Sequence, residues 1–417
     1  MCISSVRFVP LWFNLYPMLT PAEAEALILA SIPPMPIEDV PLAEAHGRVL
    51  RADVRADRDL PPFDRVMLDG YALRAATWAA GPRTFHVTGL QAAGMLPQKL
   101  AVGDACVEVA TGAALPEGAD CVVPYEDTTR DGETVKISTA AKLGPGHAVH
   151  RRGSDYAADT VIVSAGTRLT GREIAVAAAC GCATLAVSSQ PKIAVVATGD
   201  ELVDVGAEVG PHQLRRSNDY ALRAALHAAG WPRVERFHLH DMRHEIEHTL
   251  WHILTEFDVV LLTGGVSKGK FDFLPSVLTE LGVQKKFQGV AQRPGKPLWF
   301  GLSPRVRPVF ALPGNPVSCY TCLHRYVLPA LAKSSGAPPA APRLAALTAP
   351  VTFKPPLAYF LPVKISSSPA AGLLATPAAV NTSGDFAGLV DTDGFVELPA
   401  GQDEFPAGTV ARFWAWV

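Results

Sequence analysis

The sequence predicts an α/β multidomain protein built around a doubly wound parallel sheet. Three observations predict it. Between residues 189 and 333, short apolar strand-like runs alternate with helical stretches, the pattern of βαβ units. Residues 48–146 read instead as short strands and turns punctuated by Gly94, Gly103, Gly112, Gly118 and Gly132, which makes a β-rich module. The last ~75 residues alternate turns with β-prone runs, the signature of a small β-domain.

The elements follow in order. Residues 1–17 carry Phe8, Val9, Leu11, Trp12 and Phe13, but Pro10, Asn14 and Pro17 interrupt them, so no secretory core is expected. Met18 is the expected natural start. Thr20 followed by Pro21 reads as an N-cap and first helical position, opening a helix to about Ile32. A second helix, Arg168 to about Cys180, is approached through Thr170. Ser217–Ala229, Arg243–Phe257, Leu274–Leu281 and Val317–Lys333 are the helices expected between strands. Ser334–Arg343, rich in Ser, Gly, Pro and Ala, reads as a linker.

Composition excludes several functions. A formal net charge of −3 gives no electrostatic case for nucleic acid or an anionic membrane surface. No run of about 20 apolar residues is present, so no span is expected. Seven cysteines in 417 residues make no disulfide framework, which favours a reducing, cytoplasmic setting. Cys319 and Cys322 form a lone C-x-x-C that reads as helix packing.

Function is expected where three buried runs end. Ile193–Ala197 leads into Thr198-Gly199-Asp200-Glu201, Val259–Leu262 into Thr263-Gly264-Gly265-Val266-Ser267, and Val309–Leu312 into Pro313-Gly314-Asn315-Pro316-Val317-Ser318. Ligands of parallel sheets sit outside the carboxyl ends of the strands. Glycine there lets backbone approach closely, and bare N–H groups hold anions. A phosphorylated or oxyanionic ligand is therefore expected. Arg293-Pro294-Gly295-Lys296 can present fixed positive charge or form a surface turn. Asp272 can hold a metal that bridges phosphates or cap the following helix. Asp200-Glu201 can bind Mg²⁺ or a ligand ring, or cap a helix. Asp69-Gly70, Thr111-Gly112 and Arg151–Asp155 are ambiguous alone. His244-Glu245-x-x-His248 matches the zincin pattern, though Ile246, Leu250, Ile253 and Leu254 supply an ordinary apolar helix face.

Taken together, these motifs resemble the molybdopterin molybdenumtransferase family, which includes the gephyrin E-domain. Phe63–Ala72 is similar to its F-D-N-S-A-M-D-G-Y-A segment, and Thr111–Gly118 to its T-G-A-x-x-P-x-G. Arg151–Asp155, Thr198–Leu202, Gly264–Ser267, Pro294–Pro297 and Pro313–Ser318 follow in family order and spacing across residues 20–333. The resemblance implies four domains. They are a linker domain from 18–50 and 147–188, a β-rich inserted domain at 51–146, a molybdopterin-binding α/β domain at 189–333, and a C-terminal β-barrel at 344–417. It also implies a homodimer, in which Asp69 and Thr111 act from the partner subunit. The implied reaction joins molybdate and adenylylated molybdopterin, supplied by an upstream molybdopterin adenylyltransferase, to give molybdenum cofactor and AMP with Mg²⁺. Asp272 and Asp241 are the implied catalytic carboxylates and, with Glu201, the implied metal ligands. Gly264, Gly265, Ser267, Gly314 and Asn315 would cradle the pterin phosphate, and Lys296 and Ser318, with Arg293, would face molybdate. Val266, Pro294, Pro313, Pro316 and Ser383 are further implied cofactor-binding residues.

The chain departs from the family in places. Arg65-Val66 replaces Asn-Ser, Lys268 and Lys270 add charge beside Asp272, and Arg216 stands where an acid is usual. The stretch Pro356–Val363 lacks the arginines of the family's last domain. Two other readings remain: a non-catalytic molybdopterin-binding scaffold, and a zinc hydrolase using His244, Glu245 and His248.

Overall fold

The computed structural model describes residues 18–265, 274–370, 372–378 and 382–417. Val266, Ser267 and Asp272, with Lys268 and Lys270, lie outside the described residues, as do residues 1–17. Among the described residues the central sheet has six strands. Its order is Val234–Leu239, Ile193–Thr198, Val259–Thr263, Pro308–Leu312, Trp299–Leu302 and Gln284–Gln288. The first four run parallel. Their side chains alternate between two cores, so the sheet is covered on both faces. Ile193 and Val195 pack with Leu222 and Leu226 of helix Asn218–Ala228 and with Ile28 of helix Pro21–Ser31. Ala194 and Val196 pack with Ile246, Leu250 and Ile253 of helix Arg243–Glu256 and with Val277.

Two details differ from expectation. The sheet carries an antiparallel edge, because Trp299–Leu302 returns to Pro308–Leu312 through a short turn with no room for a crossover helix. Strand Val234–Leu239 reads V-E-R-F-H-L rather than as an apolar run. It is an edge strand, where Glu235 is exposed and Arg236 pairs with the buried Asp219 at 3.1 Å.

The Thr20 cap forms as expected. Its hydroxyl accepts from the Glu23 N–H at 3.3 Å while Glu23 returns to the Thr20 N–H at 2.8 Å. Thr170 and Glu173 make the same box before helix Gly171–Ala179. Three short antiparallel pairs tie together the segments on either side of the β-rich unit. They join Ile37–Pro41 to Thr184–Ser188, Val54–Arg55 to Val161–Val163, and Arg65–Val66 to Val149–His150. The β-rich unit is a mixed six-stranded sheet among the described residues, and it also holds a short helix, Ala75–Ala79, that the punctuation pattern hid.

The C-terminal strands close on themselves. Ala358–Ser367 pairs with Leu373–Pro377, that strand with Arg343–Leu347, that one with Val410–Ala415, and that one with Gly394–Leu398. The last returns to Ala358–Ser367, giving a closed five-stranded barrel among the described residues. The linker expected from Ser334 begins later. Ser334 ends helix Leu328–Ser334, its hydroxyl donates to the Pro33 carbonyl, and Ser335 is buried.

The barrel is latched to the α/β domain by a π-helical turn, Leu323–Val327. Arg325, 2% exposed, reaches Glu25 at 2.8 Å and barrel residue Glu397 at 2.9 Å, and stacks 4.4 Å from the Trp414 ring. Beside it His324 Nε2 accepts from the Val417 N–H at 3.1 Å. That fixes the tautomer, so Nδ1 carries the proton and donates to the Tyr320 carbonyl at 2.9 Å. Cys319 and Cys322 are buried in the preceding helix, and burial pushes the Cys322 thiol up to about 12.

Candidate active site

A cleft of about 660 Å³ opens at the carboxyl ends of the parallel strands. Three strand-end loops build it, as expected. Thr198 and Glu201 come from the first loop, Thr263, Gly264 and Gly265 from the second, and Pro313, Gly314, Asn315 and Pro316 from the third. The glycines are geometric requirements. Gly264 has φ +89°, and a Cβ there would sit 2.9 Å from the Thr198 carbonyl oxygen. Gly265 has φ +63°, and its Cβ would strike the Leu274 side chain. A Cβ on Gly314 would lie 3.5 Å from Gly264 Cα, so the second and third loops meet backbone to backbone.

Side chains hold these loops in place. Thr198 Oγ1 donates to the Thr263 carbonyl at 3.3 Å. Asn218 Nδ2 donates to the Gly314 carbonyl at 2.7 Å. Asn315 Nδ2 donates to Ser383 Oγ at 2.8 Å, and the Val317 N–H donates to the Ser383 carbonyl at 3.1 Å. Ser383 therefore buttresses the third loop, and its neighbour Gly384 lines the cleft.

The remaining expected residues are placed as follows. Asp241 follows the edge strand, and its backbone N–H donates to Asp200 Oδ1 at 3.0 Å, which ties together the loops after two adjacent parallel strands; neither residue lines the cleft. His240 Nδ1 lies 3.4 Å from the same Asp200 oxygen. Asp69 and Thr111 form a unit in the β-rich sheet. The Thr111 N–H and hydroxyl both donate to Asp69 Oδ1, at 2.6 and 2.9 Å, and hold that carboxyl below the usual range, the backbone donor more strongly. Neither lines the cleft of its own chain. Arg293 is exposed and pairs its backbone with Tyr359 of the barrel; Pro294 follows a cis bond, Lys296 is exposed, and Pro297 is the member of this loop that lines the cleft. Ser318 is buried within helix Pro316–Cys322.

Residues missed in the sequence reading lie at the start of helix Asn218–Ala228. Arg216, Ser217, Asn218 and Asp219 all line the cleft. Their signal was a Ser-Asn pair before an amphipathic run, which reads as a helix start and carries no apolar strand in front of it.

The zincin-like residues do not assemble a centre. His244 and His248 face a shallow depression of about 290 Å³ with Glu247, Trp251 and Leu281, while Glu245 is not among its walls. Among the described residues no group of three or more His, Cys, Asp or Glu is placed to hold a metal ion. The helix instead buries Ile246, Leu250, Ile253 and Leu254. No helix among the described residues is long and apolar enough to cross a membrane.

Comparison with known proteins agrees with this layout. Residues 19–181 match the MoeA N-terminal region (domain I and II), residues 194–333 a probable molybdopterin binding domain, and residues 345–416 the MoeA C-terminal region (domain IV). A molybdopterin molybdenumtransferase of Synechocystis is 41% identical over 96% of this chain and 100% of its own. The chain belongs to the molybdopterin molybdenumtransferase family. A Staphylococcus epidermidis member is 31% identical over 89% of each chain. The crystal structure of a molybdopterin biosynthesis MoeA protein from Pyrococcus horikoshii superposes with TM-score 0.81 at 30% identity, covering 96% of this chain and all of that one. Membership in this enzyme family places the chain in molybdenum cofactor biosynthesis.

Proposed function

We propose that the chain transfers molybdenum from molybdate to adenylylated molybdopterin, releasing AMP and forming molybdenum cofactor. The observation that carries the reading is the cleft itself. Three glycine-bearing loops converge at the carboxyl ends of parallel strands, with carboxylates after the neighbouring strands. Such cleavage needs charge neutralisation and positioning more than covalent help.

In this reading the close-approaching backbone at Gly264, Gly265 and Gly314 holds the phosphate, and Asn218 sets the Gly314 loop. Glu201, Asp241 and Asp272 are the oxygen donors for Mg²⁺, a hard cation suited to carboxylates. When bound, Mg²⁺ would offset the negative charge of the anhydride oxygens. Arg293, Lys296 and Ser318 would meet the oxyanion only after the 293–297 loop and the helix start adjust around it. Asp69 and Thr111, pre-organised on each other but outside their own chain's cleft, suit a homodimer in which one protomer completes the site of its partner. An upstream adenylyltransferase would supply the substrate, in the cytoplasm.

The test is AMP release from adenylylated molybdopterin with Mg²⁺, with and without molybdate, in wild type and Asp272→Ala. Molybdate-dependent release that disappears in the variant is expected. Tight ligand binding by folded wild type without AMP release would replace this reading with the non-catalytic scaffold.

A further inference from the structure

We infer that Arg216 and Asp219 are the part of the cleft that recognises the pterin ring, by engaging its lactam edge, where a ring N–H stands beside a C=O. This rests on the molybdopterin reading above and assigns it an orientation. Both residues line the cleft. The Arg216 side chain is 10% exposed and that of Asp219 is fully buried. Buried charges need partners, and most of theirs are internal. Arg216 reaches Asp204 at 3.2 Å through Nη2 and Asp219 Oδ2 at 3.7 Å through Nη1, and Arg236 reaches the same Oδ2 at 3.1 Å. One donor and one acceptor are left over. Arg216 Nε and Asp219 Oδ1 are both buried and both without a hydrogen-bond partner. Orphans of this kind are uncommon in native proteins.

Charge decides what would satisfy them. Arg216 and Arg236 balance Asp204 and Asp219, so this wall is close to neutral. A phosphate placed here would meet a carboxylate, whereas the glycine loops offer backbone alone. A neutral group that carries both an acceptor and a donor suits a wall left with one donor and one acceptor. The ring carbonyl accepts from Arg216 Nε–H, and the ring N–H donates to Asp219 Oδ1. Both atoms are covered by their own chain, so engagement requires Arg216 to change rotamer. The ligand then lies with its ring at the start of helix Asn218–Ala228 and its phosphate at Gly264, Gly265 and Gly314. The 2.7 Å bond from Asn218 to the Gly314 carbonyl fixes the spacing between the two ends.

The test titrates the full chain with pterin, with 3-methylpterin, whose ring nitrogen carries a methyl group in place of hydrogen, and with inorganic pyrophosphate. Wild type is expected to bind pterin at least tenfold more tightly than 3-methylpterin. Asp219→Asn should bring that ratio towards one, and Arg216→Leu should weaken both pteridines together, while pyrophosphate binding is kept. Equal affinity of wild type for the two pteridines would overturn the edge assignment and leave the molybdopterin reading standing. Pyrophosphate binding with no binding of either pteridine would overturn both. If Asp219→Asn fails to fold, Asp219→Ser carries the same comparison, and a wild-type ratio in a folded variant would overturn the assignment to Asp219.

Discussion

The barrel latch should make stability depend on pH in a way traceable to one imidazole. His324 is 4% exposed, and burial pushes its pKa down from 6.5 to about 4, against a smaller opposing effect from its bond to the Tyr320 carbonyl. The neutral ring is the form that can accept the Val417 N–H. In the unfolded chain the ring protonates as pH falls through 6.5, while in the folded chain it resists until about 4. Its contribution is therefore fully present above pH 6.5 and is lost progressively as pH falls towards 4. A gap of ~2.5 pKa units corresponds to about 3 kcal/mol once both states are protonated, and about 2 kcal/mol of it is lost by pH 5. Urea unfolding of wild type and His324→Leu at pH 7 and pH 5 measures this, because other titrations cancel in the difference. The variant should be less stable at pH 7, since it orphans the Val417 N–H, yet should lose about 2 kcal/mol less than wild type on going to pH 5. An identical pH dependence in the two proteins, or an NMR titration placing His324 near 6.5, would refute the argument.

Other outcomes follow from the cleft and the seam. Gly264→Ala puts a Cβ 2.9 Å from the Thr198 carbonyl at φ +89°, so calorimetry should show ligand binding lost even where the chain still folds. Asn218→Ala frees the Gly314 carbonyl from its 2.7 Å bond; at about 1 kcal/mol per such bond, affinity should fall about fivefold with little change in melting temperature. Asp69→Ala and Glu201→Ala should each be inactive alone, yet recover part of the activity when co-expressed, because a mixed dimer has one intact site. Absence of recovery in a proven heterodimer would sink the shared-site reading. Arg325→Leu leaves Glu25 and Glu397 without their buried partner and should cost about 3–5 kcal/mol in unfolding experiments.

Legibility in the sequence tracked how local the determining physics is. The strand-end loops could be read because each apolar run and its glycine-bearing turn are contiguous, and a positive φ at Gly264 is a property of one residue. The Thr20 and Thr170 capping boxes were visible as helix starts for the same reason. Asp69 and Thr111 stand 42 positions apart, yet their motifs were legible together through the family pattern. What stayed hidden depends on contacts between distant segments. Nothing near Asn218 says that its amide meets a carbonyl 96 residues later. Nothing near Arg325 says that it is buried between the first helix and the barrel. Arg216 shows the point most plainly. Read along the chain it is a substitution where an acid is usual, and its neighbour Asp219 reads as a helix-start acid. Only the fold shows that the two charges neutralise one another against the cleft and leave one donor and one acceptor over. A site searched for along strand ends therefore finds the half built of backbone and glycine, which signal it locally. The half around Arg216 and Asp219 is built from side chains whose meaning comes from their partners.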